Sequence, residues 1–318
     1  MRQNGLNAAV VMATYNGARF IEEQMDSLRR QSFTPHRVII RDDGSTDGTQ
    51  EIVSDYIARY GLTNWDFKGN DSNKGFTSNF LDAALEASES IVFFCDQDDI
   101  WLEAKIEHAM SVFSEYEKCV AVLCNASIVD EYGNKADTVQ TTYRRTSSRS
   151  GEISLAKQVS SMVASGHTLS VRKSFLEEVA PIIKARGLTY DSPIGIMAAA
   201  RGGLFKTGTT DVLHRVHSSN TSSPKYGLLQ RFRSKSKHIS GRRFQLDTLR
   251  KCRDQVWAFS DAQTVKLYDE EITARERCLS AMENGHLTPL VKGLFRRSPM
   301  KNRTVEVANL AIMLFGRG

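Results

Sequence analysis

Four apolar runs recur at a regular pitch in the first hundred residues, and each stops at a knot of acids, asparagines and glycines. Residues 8–15 (AAVVMATY) end on Asn16-Gly17, and residues 36–40 end on Arg41-Asp42-Asp43-Gly44. A shorter run, 65–68, precedes Asn73-Lys74-Gly75, and 91–95 (IVFFC) ends on Asp96-Gln97-Asp98-Asp99. Between them, apolar side chains fall at helical spacing: Phe20, Ile21, Met25 and Leu28 within 18–31, then Ile52, Val53, Tyr56 and Ile57 after Asp47-Gly48-Thr49, then a helix over 77–87. Strand–helix alternation of this kind predicts an α/β fold with a mostly parallel central sheet flanked by helices. Ligands of such sheets bind beyond the carboxyl ends of the strands. The clusters TYNG, RDDGSTDGT and CDQDD all fall at that edge, so independent strands aim polar groups at one crevice.

Beyond Ala126 the pattern weakens. Residues 131–151 are rich in Thr, Ser and Arg and read as a long surface loop, a length at which loops often serve as lids. A helix over 189–200 and a strand over 204–206 follow. The tail is helical in period, with one stripe of Leu246, Leu249, Cys252, Val256 and Phe259 and another of Val265, Tyr268, Ile272, Leu279 and Met282. This organisation divides the chain into a catalytic domain over 1–224, with halves meeting near 126, and a helical extension over 225–318.

Charge follows the same division. From Lys225 onward 19 Lys and Arg stand against 9 Asp and Glu, which leaves 23 basic and 28 acidic of the chain's 42 and 37 for residues 1–224. A basic tail on an acidic body points to an anionic partner, membrane or polyanion, rather than to a basic fold, and no nucleic-acid partner is expected. The best apolar run, 307–315, is far short of the roughly 20 residues that span a bilayer. No secretory signal is expected from the first residues. The five cysteines form no C-x-x-C pair, so neither a disulfide framework nor a zinc site is implied, and a cytoplasmic setting fits. Cys95 and Cys124, in apolar runs, read as small buried hydrophobes.

The acids carry the chemistry. Asp96-Gln97-Asp98 follows a buried strand, where close carboxylates repel one another and call for a cation. Mg²⁺ or Mn²⁺ with oxygen ligands would neutralise a nucleotide diphosphate there. A carboxylate can accept the N3–H of uracil or thymine, which makes Asp43 the candidate for reading a pyrimidine, while Asp47 is the candidate helix cap. Trp101 reads as a core anchor and His167 as a hydrogen-bonded loop residue.

Taken together, VVMATYNGARFIEEQMDSLRRQ (10–31), VIIRDDGSTDGT (38–49), NKGFTSNF (73–80) and FFCDQDDIW (93–101) resemble family 2 glycosyltransferases of the GT-A fold. The likeness is to the bacterial rhamnosyltransferase-like branch that builds cell-surface polysaccharides. SGHTLSVRKS (165–174), TYDSPIGIMAAARGG (189–203) and HRVHSSNTSS (214–223) extend it to about 8–223, and the tail is matched loosely. The resemblance implies a Rossmann-like nucleotide-binding half and a set of roles. Thr14, Tyr15 and Asn16 would line the base pocket with Asp43, and Lys74 and Gly75 would contact the nucleotide or donor. Asp96 would lie near the ribose and sugar, with Gln97 in the same donor-binding segment. Asp98 would bind the metal, His217 of His-x-x-Asn would lie near the diphosphate and metal, and Asp191 would be the general base. Three segments depart from the family pattern: Tyr190-Asp191-Ser192-Pro193 stands for His-Asp-Trp, His167 for a cysteine, and His214-Arg215-Val216-His217 for Tyr-Arg-x-His.

The expectation is an inverting, metal-dependent enzyme. It would move a sugar, rhamnose included, from UDP or dTDP to a hydroxyl of a glycan or lipid-linked acceptor. It would work in the cytoplasm or peripherally at the cytoplasmic face of the inner membrane, and homo-oligomers are compatible with this. A sugar-nucleotide nucleotidyltransferase would need a basic Gly-rich loop after the first strand, which Thr14-Tyr15-Asn16-Gly17 is not. A nicotinamide dehydrogenase would need G-x-G-x-x-G. A non-catalytic scaffold binding membrane or polyanion through the tail would leave the strand-end acids unexplained.

Overall fold

The computed structural model describes residues 5–135, 150–218, 220 and 235–315. The opening alternation is present as β1 (Ala8–Thr14), α1 (Ile21–Arg29), β2 (Arg37–Asp42), α2 (Thr49–Tyr60), β3 (Trp65–Gly69), α3 (Phe76–Leu85) and β4 (Ile91–Asp96). β1 pairs in parallel with β2 on one side and β4 on the other, and β2 pairs in parallel with β3. Strands buried on both faces need apolar residues throughout rather than alternation. Along β1, Ala9 and Val11 face one core while Ala8, Val10 and Met12 face the other, as a period of two requires.

The second half is less regular. It runs β5 (Ile100–Trp101), α4 (Lys105–Glu115), β6 (Ala121–Val129), β7 (Gly151–Glu152), α5 (Leu155–Ser161), β8 (Leu169–Arg172), α6 (Lys173–Ala185), α7 (Asp191–Ala200) and β9 (Leu204–Arg215). The sheet order is β3-β2-β1-β4-β8-β6-β9-β5, with β7 also on β9. β8 enters antiparallel between β4 and β6, so the parallel sheet becomes mixed there. The strand expected over 204–206 instead continues to Arg215, and its pairing with β6 shifts register between Leu123 and Ala126. The lid-like loop expected over 131–151 falls largely outside the described residues.

Two cores result. The helices α1, α2 and α4 cover one sheet face, and α3, α5, α6 and α7 the other. The tail adds α8 (Lys235–Phe259), α9 (Ala262–Glu283), α10 (Thr288–Phe295) and α11 (Arg303–Phe315). Leu246, Leu249, Cys252 and Val256 of α8, with Tyr268, Ile272 and Leu279 of α9, belong to the same core as α7. Phe259, expected in the first stripe, is instead 44% exposed, with the Arg201 guanidinium 3.8 Å over its ring. Much of the tail's positive charge is paired internally, Arg243 with Glu283, Arg250 with Glu276 and Arg253 with Asp269. No described helix is long and apolar enough to cross a membrane.

Candidate active site

The chain winds from β1 to β3 on one side of β1 and then returns to β4 on the other, so the carboxyl ends of β1, β2 and β4 open on a switch-point crevice. Thr14 lies opposite Asp42, and Ala13 opposite Asp96, which brings the strand-end acids to one level. Asp42 is wholly buried and accepts hydrogen bonds from the Thr14 hydroxyl (2.7 Å), Gly44 N–H (3.1 Å) and Ser45 N–H (2.7 Å). Thr14 is itself only 1% exposed, so its hydroxyl supports the loop instead of opening on the crevice.

The turn after β1 is laced to the turn after β2. Asn16 adopts a left-handed backbone (φ 50°), a conformation asparagine tolerates better than most residues. Its side-chain oxygen accepts from Thr46 N–H (2.9 Å), and its own N–H donates to the Ser45 hydroxyl (2.8 Å). Asp47, expected as the cap of α2, lies one residue before it: Gly48 holds the N-cap position, and Asp47 accepts from Thr49 N–H (3.1 Å) and from Ala18 N–H (3.0 Å). The Tyr15 ring is left 50% exposed, while Gln97 clasps the Tyr15 backbone: its amide oxygen accepts from the N–H and its amide nitrogen donates to the carbonyl, both at 2.9 Å.

Asp43 is nearly buried. It accepts from the Asn70 side chain (3.0 Å), Lys74 N–H (2.8 Å) and Gly75 N–H (2.9 Å). Three of a carboxylate's roughly four acceptor positions are thus occupied, leaving one for a ligand N–H. The Lys74–Gly75 turn is thereby fixed beside Asp43, with Gly75 at φ 80°, a value that favours glycine.

Asp98 carries the other cluster. Its Oδ2 lies 2.8 Å from His217 Nε2 and accepts from the Asn220 amide, also at 2.8 Å. The His217 N–H donates to the Asn220 side-chain oxygen (2.6 Å), so the His-x-x-Asn spacing closes a small turn onto Asp98. Bonds of about 2.1 Å to a hard divalent ion put neighbouring ligand atoms about 3 Å apart, so the Asp98–His217 pair fits such an ion. Asp96 adds to the case. Burial, and then the Asp99 and Asp98 carboxylates, push its pKa well above the usual range, a repulsion that a cation would relieve.

Asp191 begins α7 on the far side. Tyr190 before it is buried, stacked 4.8 Å from Phe94 and tilted 5.0 Å from Phe80, which locks the helix start against β4. Burial raises the Asp191 pKa against hydrogen bonds from Ser192 N–H (2.7 Å), the Thr189 side chain and Gly166 N–H. The Asp191 charge adds a smaller push to the raised Asp96 pKa.

A deeper set joins residues that the sequence presented only singly; His167, read there as a hydrogen-bonded loop residue, does bond the Ser165 hydroxyl. Asp99 Oδ1 accepts from Arg215 N–H (3.0 Å) and lies 2.8 Å from His214 Nδ1. Burial opposes a charge on His214, yet Asp99, with Asp96 and Asp98 beyond it, raises its pKa to about 9. The His214 ring stacks on His167 at 4.3 Å and 8°. The ligand atoms of Asp99, His167 and His214 lie within 4.8 Å of one another, a spacing open to a metal. Lys105 intervenes: its buried ammonium donates to the His167 carbonyl (2.8 Å) and supplies positive charge to the cluster. Arg215 is 2% exposed and donates to the Asp98 carbonyl (3.0 Å) and the Glu131 carbonyl (2.9 Å), with Glu23 2.5 Å away. The HRVH pattern, His167 and the acid knot ending at Asp99 each pointed here, but nothing in the sequence joined them.

A partly parallel sheet whose switch point gathers Asp43 with its Asn70, Lys74 and Gly75 partners and Asp98 with His217, beside a helix that begins at Asp191, has the plan of a GT-A glycosyltransferase. The comparisons agree. The model of glycosyl transferase family 2 matches residues 9–180, and the chain belongs to that family. An uncharacterized glycosyltransferase of Nostoc sp. is 25% identical over 224 residues, covering 68% of this chain and 66% of that protein. The dTDP-rhamnosyl transferase RfbG of Shigella flexneri is 37% identical over 103 residues, covering 31% of this chain and 35% of that protein. Less than two thirds of either relative's length is therefore spanned. Among solved structures, Staphylococcus aureus TarS with UDP-GlcNAc superposes with a TM-score of 0.60 at 17% identity, covering 97% of this chain and 90% of that one. The Pyrobaculum calidifontis mannosyltransferase PcManGT with GDP-Man and Mn²⁺ gives 0.54 at 16% identity, covering 98% and 87%.

Proposed function

We propose that this chain transfers a sugar from a pyrimidine nucleotide-sugar to an acceptor hydroxyl by a single, inverting displacement. The observation that carries the reading is the convergence of His217 and Asn220 on Asp98 at the end of the central strand β4. Asp43 and the exposed Tyr15 ring would receive the base, and the Lys74–Gly75 turn would border the donor. A divalent cation on Asp98 and His217 would offset the charge of the departing diphosphate. Asp191 would take the acceptor proton while the hydroxyl oxygen bonds to the anomeric carbon and the bond from that carbon to the diphosphate oxygen breaks. The Shigella relative's name supports dTDP-rhamnose as the donor to try first. Residues 1–224 would be the catalytic part and 225–318 an accessory part.

The test is a thermal-shift screen of UDP- and dTDP-sugars with Mn²⁺ or Mg²⁺, since ligand binding to the folded state stabilises it by mass action. A cation-dependent shift with one donor supports the reading. No shift with any of them contradicts it.

The acceptor class we propose is a glycan or lipid-linked glycan met at an anionic membrane surface. On α10, Phe295 is 80% exposed and Val291 40%, with Lys292 and Arg297 exposed beside them. An apolar edge flanked by cations suits an interfacial position. Salt-sensitive co-sedimentation with anionic but not neutral liposomes is the expected result. Equal binding to both, or to neither at low salt, would remove this element.

A further inference from the structure

Two gripping points on one short segment set the geometry of the cation-fitting pair. β9 ends at Arg215, and only Val216 separates it from His217. Asp99 holds that strand end through His214 Nδ1 and Arg215 N–H, while its neighbour Asp98 receives His217, two residues further on, and Asn220, five further on. Asp99 spends one oxygen on both contacts; the other is buried and makes no hydrogen bond among the described residues. The carboxylate thus sits where it grips β9, at the expense of its own satisfaction.

On the opposite side the His214 ring lies flat on His167. His167 is fixed through its carbonyl by Lys105 and through Nδ1 by the Ser165 hydroxyl (3.2 Å). Its neighbour Gly166 donates its N–H to Asp191. The two rings occupy the positions, 167 and 214, at which the sequence departs from the family pattern. The contacts that tie separate elements together join residues far apart in sequence, 115 positions for Asp99 and His214 and 62 for Lys105 and His167, so local chain geometry does not enforce them.

We infer that Asp99, His214 and His167 form a buried strut that sets the Asp98–His217 pair at the separation a cation needs and ties it to the loop that orients Asp191. All three are positioning residues, and the inference rests on the proposed cation role of Asp98. Partners in the shell outside metal ligands typically alter metal affinity by about 10–100-fold when removed.

The experiment titrates Mn²⁺ into the full-length chain with UDP or dTDP present, reading bound Mn²⁺ by electron paramagnetic resonance. The thermal midpoint is measured separately without metal or nucleotide. Asp99→Leu removes the acceptor while nearly keeping shape, and His214→Phe removes the donor while keeping the stacked ring. Both are expected to weaken Mn²⁺ by about 10–100-fold. His214→Asn sets an amide donor near the place of Nδ1 and is expected to restore most of the affinity. Because it drops the stack, its donor-hydrolysis kcat at saturating Mn²⁺ should still fall, with the KM for donor little changed. Wild-type Mn²⁺ affinity in folded Asp99→Leu and His214→Phe would overturn the strut. So would losses that merely track the thermal midpoint, or equal losses in His214→Phe and His214→Asn. If the wild type binds no Mn²⁺, or Asp98→Asn binds it unchanged, the cation reading itself fails, which is a distinct outcome.

Discussion

Replacing Arg215 by methionine tests how firmly the acid turn is held. The side chain is 2% exposed, and methionine fills much of its stem without its charge. Three polar contacts disappear: those to the Asp98 carbonyl, the Glu131 carbonyl and the Glu23 carboxylate. Hydrogen bonds from a charged donor contribute about 1.5–3 kcal/mol each, and since both carbonyls are only partly enclosed the lower figure applies to each. Glu23 is 51% exposed on its side chain, so that pair adds no more than about 1 kcal/mol. Loss of the guanidinium over Phe20, 5.0 Å away, is a smaller matter. The sum is a destabilisation of about 3–4 kcal/mol, a large share of a typical 5–15 kcal/mol. Urea unfolding of the two proteins, followed by circular dichroism, measures it. A loss below about 1 kcal/mol would refute the reasoning and show that water replaces the guanidinium at no cost.

Other outcomes follow from the same geometry. Asp191→Asn is expected to lower turnover by about 10²–10⁴-fold with little change in donor or metal affinity; loss of donor binding with normal residual chemistry would move Asp191 to the donor pocket. Because burial raises the Asp191 pKa and the carboxylate is the working form, wild-type turnover should fall as pH drops through a value above the ordinary 3.8, and Asp191→Asn should lack that limb. An acid limb shared by both proteins would assign it elsewhere. Gly17→Ala would put a methyl group into the Gln97 amide, which is pinned at both ends to Tyr15. Losing those two bonds, at about 1 kcal/mol each, should weaken nucleotide binding by about 10-fold or more in calorimetry, and unchanged affinity would separate the clasp from the nucleotide.

The parallel half was legible in the sequence because its strands are buried on both faces, and β1, β2 and β4 therefore read as unbroken apolar runs ending in turn residues. The mixed half was not. β8 is four residues long, and β9 carries Thr207, Thr209 and Asp211, which satisfy one another (Thr209 Oγ1 to Asp211, 2.6 Å) and so disguise a strand as a polar loop. The stripes of α8 and α9 showed that the tail packs inward, but their period says nothing of the surface they cover. Asp43, Lys74 and Gly75 were singled out one by one, whereas their contact depends on a chain reversal that only the fold provides. The pairing of Asp99 with His214, and the part played by Lys105, escaped notice for a related reason. A buried charge is recognised by its partner, and each of these partners is supplied by a distant element.

The most direct measurement is release of UDP or dTDP from the corresponding sugar donor by purified protein, with Mn²⁺ and then with excess chelator, for wild type and Asp98→Asn. The account requires turnover with Mn²⁺ in the wild type, its collapse with chelator, and near-background rates in a folded Asp98→Asn under both conditions. Undiminished turnover in chelator, or in Asp98→Asn, would contradict a cation-assisted transfer at this crevice.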